Sequence, residues 1–210
     1  MKFLAFDNTW YVVALIWGLL LIRVAVPRIG SLRPHRAAVL EITDSLLVAV
    51  LLVFLILRPF VVQAFFIPSG SMEPTLQVND RILVNKFIYF LHPPRVGDVV
   101  VFVSPRAADP DQKDFIKRVT GLPGDRLAVH GGKLYRNGKP IDEPYLAQPM
   151  IYEWPDFGGD FTVPQGTIFV MGDNRNFSND SHVWGALPRQ NLLGQAFCIF
   201  WPASRVRLLR

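Results

Sequence analysis

The chain has 210 residues, half of them hydrophobic, with a formal net charge of +5. That length holds one domain with a core plus short appendages, and a mean hydropathy of +0.26 directs attention to membrane segments first. The basic balance fits an anionic membrane surface; the arginines are dispersed and no nucleic-acid motif accompanies them, so no nucleic-acid partner is expected. The single cysteine, Cys198, cannot form an intrachain disulfide and reads as an inert thiol in an apolar run.

In chain order, a short N-terminus (1–8) carries only Lys2 and Asp7. Trp10 to Ile22 is charge-free, and the stretch 9–27 is long enough to cross a bilayer as a helix, with Arg23 near one end able to snorkel. A cleaved signal peptide is the rival reading, but no A-x-A site ends the run. A basic loop, 28–44, holds Arg28, Arg33, His35 and Arg36 against Glu41, which makes it cytoplasmic by the positive-inside rule. A second span is expected over 45–64, interrupted by Arg58-Pro59, although its clean apolar run also suits a buried core helix. Two crossings place 65–210 outside the cytoplasm.

Residues 65–210 show no long amphipathic helix. Short apolar runs recur at Arg81–Val84, Val99–Val103, Phe115–Val119, Thr167–Met171 and Gln195–Trp201, separated by Gly and Pro clusters. Asn137-Gly138 inside Leu134–Ile141 predicts a hairpin with a type I′ turn, and Leu122–Asp125 a Pro-Gly turn. The fold class is therefore mainly β: an antiparallel β-sheet domain with a small inserted β subdomain over 128–165, preceded by two transmembrane helices.

Three stretches carry chemistry. Pro68-Ser69-Gly70-Ser71 is a stiff turn that presents hydroxyls beside free N–H groups, with Gly70 free to take angles closed to other residues; it is also an ordinary loop composition. A nucleophilic serine needs a base. One candidate is Lys117, which strand alternation places on the inward face with Phe115 and Val119 while Arg118 points the other way. Burial makes an amine easier to deprotonate: a drop of about 3 units from about 10.4 would cost about 4 kcal/mol. Snorkelling of Lys117 to the surface is the plain alternative. The other candidate base is His182 beside Asp180. Gly172 to Gly185, the densest polar stretch, follows a buried strand and reads either as a structural loop network or as a support for catalytic groups.

Four separated segments resemble type I signal peptidases, the Ser/Lys family that removes signal peptides from exported preproteins: PSGSMEPTL at 68–76, RVGDVVVF at 95–102, KRVTGLPGD at 117–125, and Gly172 to Gly185. The wording of the last is more similar to cyanobacterial and thylakoid members than to enterobacterial ones. The resemblance implies Ser71 as nucleophile and Lys117 as general base. It implies an oxyanion hole from the Ser71 N–H and the Ser69 hydroxyl, and Ser178 as a hydrogen-bond partner of Lys117. Asp173 and Asp180 would brace the loop through Arg118 and Arg175, the pairing left open. Phe65, Ile67 and Ile116 would line pockets for small side chains at the first and third positions before the cut, with the substrate lying as an added strand. It implies no metal or other cofactor, secretory preproteins as partners, contact of Phe65, Phe66 and Met72 with lipid, and work near the translocation machinery of a plasma, bacterial inner or thylakoid membrane. Asn176, Phe177 and His182 depart from the commoner family residues; His182 removes a possible salt bridge. A catalytically inactive signal-peptide-binding relative is the alternative.

Overall fold

The computed structural model describes residues 9–29, 34–55, 61–156 and 158–209. The chain divides into two compact units, 4–62 and a second built on 63–210.

In the first unit, α1 spans Thr9–Ala25 and passes into a 3-10 turn, Val26–Arg28, at Pro27. α2 spans Arg36–Leu52. Both segments are long and apolar enough to cross a membrane. α2 starts well inside the stretch expected to be loop. Ala37, Ala38, Leu40 and Glu41 are strong helix formers, and the nearest breaker, Pro34, lies before them, so the helix extends into the charged region. Arg23 forms an ion pair with Asp44 rather than standing alone. The expected readings of Lys2, Asp7, Arg33 and Arg58 fall outside the described residues.

The second unit opens with a correction. Val62–Phe66, whose first three residues were expected to finish the second helix, form strand β1. Val62 is β-branched and Phe65 and Phe66 are aromatic, which favours a strand, and Pro59 upstream works against a continuing helix. There follow β2 (Arg81–Asn85), β3 (Val99–Val103), β4 (Asp114–Gly121), β5 (Arg126–His130), β6 (Lys133–Arg136), β7 (Lys139–Pro140), β8 (Phe161–Thr162), β9 (Thr167–Met171), β10 (Leu187–Pro188), β11 (Leu192–Trp201) and β12 (Arg207–Leu208). The main sheet has the order β1-β2-β11-β3-β4-β9-β10, with β12 beside β11, and every registered pair is antiparallel. A second sheet, β7-β6-β5-β8, is built from 126–162.

Both faces of the main sheet are covered, which is why β3 reads as an unbroken apolar run. Val99, Val101 and Ile116 join Phe65, Ile67, Met72, Ile82 and Val84 in one core; Val100, Phe102 and Val119 join Ile168, Val170 and Leu187 in another. The same double cover corrects the expectation for β4: Arg118 alternates away from Lys117, yet both are buried. A third core ties the sheets together, with Leu127, Val129 and Leu134 packed on Phe169 and Met171 of β9. The β6–β7 turn has positive φ at Asn137 and Gly138, as a type I′ turn demands.

Candidate functional site

The turn after β1 is pinned from below. Ser69 is extended, Gly70–Met72 make one 3-10 turn, and the side chains of Met72 and Leu76 are fully buried in the core. The first N–H groups of a helical turn have no partner within it, so the Ser71 N–H is free of the turn's own bonding. The Ser69 hydroxyl is exposed and has no partner among the described residues. Gly70 does not use the positive φ open to glycine. What its missing side chain leaves room for is Glu73, whose carboxylate would lie 3.1 Å from a Cβ at that position.

A second loop clamps this turn from the side. The Asn174 N–H donates to the Ser71 carbonyl at 3.1 Å, and Asn174 Nδ2 donates to the Gly70 carbonyl at 3.1 Å. Gly172 approaches so closely that a Cβ there would lie 2.4 Å from the Ser71 carbonyl oxygen and 2.3 Å from Ser178 Oγ. Any side chain at 172 would displace the Ser71 backbone.

Strand β4 brings Lys117 to the same point. Its Nζ lies 2.8 Å from Ser71 Oγ and 5.6 Å from the Phe115 ring, and the residue is 4 % exposed. Burial lowers the amine to a pKa of about 8, against the opposing pull of Asp180 and Asp173. At that value about one amine in ten is neutral at pH 7, against roughly one in 2,500 for a solvated lysine.

The surrounding charges are paired, though not all as the resemblance implied. Arg118 grips Asp173 through two bonds, at 2.9 and 2.7 Å, donates to the Gly97 carbonyl, and lies 4.0 Å over the Tyr145 ring. Arg175 pairs with Glu143, at 2.8 and 2.6 Å, and not with Asp180; it also donates to the Gly172 carbonyl. Asp180, fully buried, accepts from the Gly172 N–H at 2.9 Å and lies 2.7 Å from His182 Nδ1. His182, which stands where a salt bridge was expected to be lost, meets Asp180 through this contact and stacks on Tyr152 at 4.7 Å. Ser178 Oγ is buried without a hydrogen-bond partner among the described residues, so the bond to Lys117 implied by the resemblance is not formed. Its place is taken up by the contact with Gly172.

Ser71 and Lys117 face a cleft of about 460 Å³. One wall is Pro68–Ser71. The other is Asp114–Lys117 of β4, paired with β3 alone because β9 joins β4 only from Arg118 onward. That leaves a strand edge open to an incoming chain. Ile116 lines the cleft, whereas Phe65 and Ile67 are wholly buried in the core beneath it and do not. Burial also removes Phe65 and Met72 from any contact with lipid. Alternation along β1 and β4 identifies apolar positions but not which of two covered faces reaches a surface. Among the described residues no cluster of His, Cys, Asp or Glu is arranged to hold a metal ion.

The residues missed from sequence are Asn174, Gly172, Glu143 and Tyr145 in these roles. Asn174 and Gly172 lie inside the segment 172–185 singled out above; Glu143 and Tyr145 lie in a Pro-rich stretch without periodic signal. The model of the family described as signal peptidase, peptidase S26, matches residues 39–201. The probable signal peptidase I-1 of a Synechocystis strain is 49 % identical over 164 residues, covering 76 % of this chain and 82 % of the relative. The signal peptidase I of Leptolyngbya laminosa is 47 % identical, covering 71 % and 74 %. Thylakoidal processing peptidase 1 of Arabidopsis thaliana is 41 % identical over 67 % of this chain and 42 % of its own length.

Proposed function

This chain belongs to the signal peptidase family, peptidase S26, and from that premise we propose that it removes signal peptides from exported preproteins with Ser71 as nucleophile and Lys117 as general base. The observation that carries the reading is the buried Lys117 amine at hydrogen-bond distance from the Ser71 hydroxyl. With Lys117 neutral, the Ser71 O–H donates to Nζ. As Oγ attacks the carbonyl before the cut, the proton passes to Nζ, and the resulting ammonium returns it to the leaving amine. The Ser71 N–H and Ser69 hydroxyl, on the cleft side of the turn, receive the oxyanion. Water, deprotonated by the same amine, then hydrolyses the acyl-enzyme and frees Ser71.

The substrate pairs with the free edge Asp114–Lys117 as an added strand, and Ile116 meets small side chains at the first and third positions before the cut. Arg118, Asp173, Arg175 and Asp180 hold the loop that fixes Asn174 against the nucleophile turn, and Ser178 fills the space over Gly172. α1 and α2 cross the plasma, bacterial inner or thylakoid membrane, and the basic residues Arg28, Arg33, His35 and Arg36 keep their connection on the cytoplasmic side, so the β domain lies outside. That position meets preproteins as they leave the translocation machinery, beside lipid. A histidine-based alternative is disfavoured, because the hydrogen-bond partner of Ser71 Oγ among the described residues is Lys117.

The test is cleavage of a preprotein with an Ala-x-Ala site by the detergent-solubilised chain, compared with Lys117→Ala at pH 8. Cleavage after the second Ala by wild type and background activity in the variant is the expected result. Substantial activity in the variant removes Lys117 as the base.

A further inference from the structure

Asn174 and Phe177 line two clefts at once. One is the cleft of Ser71 and Lys117; the other, about 290 Å³, opens beyond them and is walled by Glu73, Pro74, Gln77 and Gln148. Phe177 forms the ridge between the two and is 76 % exposed, a large apolar ring left in water at the mouth of a reaction site.

The second cleft has a definite chemical character. Asp173 and Arg175, at its floor, are neutralised by Arg118 and Glu143. The Glu73 carboxylate has no hydrogen-bond or ion-pair partner among the described residues, and it lies against Gly70 of the nucleophile turn. The Gln77 and Gln148 side chains are exposed and unpartnered among the described residues. The cleft therefore offers one unbalanced negative charge among amides that suit a peptide backbone.

Connectivity fixes which end of a substrate arrives there. If the segment before the cut occupies the β4 edge, the chain beyond Ser71 leaves past Asn174 and Phe177. Glu73 follows Ser71 by two residues, so their Cα atoms lie within about 7 Å. That is the reach of the second or third residue after the cut in an extended chain.

We propose that this second cleft binds the part of the substrate that follows the scissile bond, an extended polypeptide whose basic side chain at the second or third position meets Glu73. The assignment rests on the peptidase reading above and extends it to selection on the product side of the cut.

The test uses the full detergent-solubilised chain and preprotein peptides with one Ala-x-Ala site, carrying Lys or Glu at the second and third positions after the cut. Wild type is expected to favour Lys over Glu by about fivefold in kcat/KM, the scale of one partly exposed charge pair, with the preference shrinking as salt rises. Glu73→Gln brings the ratio to about one, and Glu73→Lys inverts it. On a peptide ending one residue after the cut, wild type and Glu73→Gln agree within about twofold, because the partner of Glu73 is missing. A wild-type ratio near one, or a ratio that Glu73→Gln leaves intact, overturns the assignment while the peptidase reading stands. Silence of wild type on every peptide overturns the peptidase reading itself, and this assignment with it.

Discussion

On one face of β4 the sheet buries Lys117, and on the other, one residue on, it buries Arg118. The two sites handle a buried cation in opposite ways. Arg118 has a full complement: it donates two bonds to Asp173 and one to the Gly97 carbonyl, and lies over the Tyr145 ring. Among the described residues Lys117 has one hydrogen-bond partner, the Ser71 hydroxyl at 2.8 Å, with the Phe115 ring at 5.6 Å, while Asp180 and Asp173 act on it from beyond hydrogen-bond contact. A guanidinium cannot shed its proton, so burial obliges the fold to pair it. An amine can, so burial without a carboxylate partner turns it toward the neutral form. The contrast teaches that a buried charge fully paired is scaffold, and one left short of a counter-charge is poised for proton transfer.

The sharpest way to break the contrast is to remove each cation in turn. Lys117→Met is expected to lower kcat/KM by about 10³-fold or more in a cleavage assay. The same change stabilises the fold at pH 7 by up to about 3 kcal/mol in denaturant unfolding, because it removes the cost of holding the amine near 8 instead of 10.5. Arg118→Met has the opposite signature. It strands Asp173 in the interior and destabilises by about 3–5 kcal/mol, with activity lost only as far as the loop loosens. If Lys117→Met proves as destabilising as Arg118→Met, the two faces are not different in kind.

The pH dependence sharpens the same comparison. Activity is expected to fall tenfold per unit below a midpoint of about 8, as Lys117 gains its proton. Because the folded-state value is lowered, the unfolded chain binds this proton first. The Lys117 contribution to stability is therefore full above the unfolded value of 10.5, lost as pH falls from there to about 8, and flat below. Unfolding of wild type and Lys117→Met across that window should converge at high pH and separate at low pH. The smallest effect belongs to the clamp: Asn174→Ala removes the side-chain bond to Gly70 but keeps the backbone bond to Ser71. A cost of about 1 kcal/mol, read as a roughly fivefold drop in kcat with KM little changed, is expected.

Five strands were legible in the sequence because each carries an apolar run between Gly or Pro breaks: β2, β3, β4, β9 and β11 lie where those runs predict, whereas β1 reads as helix and β5 gives no such run. Asn137-Gly138 disclosed its hairpin because positive φ at two successive residues has few chemical solutions. The start of α2 was hidden because charge in Arg36 and Glu41 mimics loop while helix propensity says otherwise. Depth was hidden too: Phe65, Ile67 and Ile116 share apolar chemistry, and only packing decides that Ile116 alone reaches the cleft. The pairing of the loop charges was the least legible part. Arg175 finds Glu143 in a segment with no periodicity, and nothing in local sequence separates that choice from Asp180.

The place of β11 in the sheet has a consequence for how the site is assembled. It lies between β2 and β3, and its pairs Asn85–Gln195 and Val100–Gln195 make it the seam of the sheet. The nucleophile turn belongs to the β1–β2 side of that seam and Lys117 to the β3–β4 side. Without β11 in place, the two sides that carry hydroxyl and amine have no strand between them. The contact between Ser71 and Lys117 is therefore set by the long-range pairing that places β11.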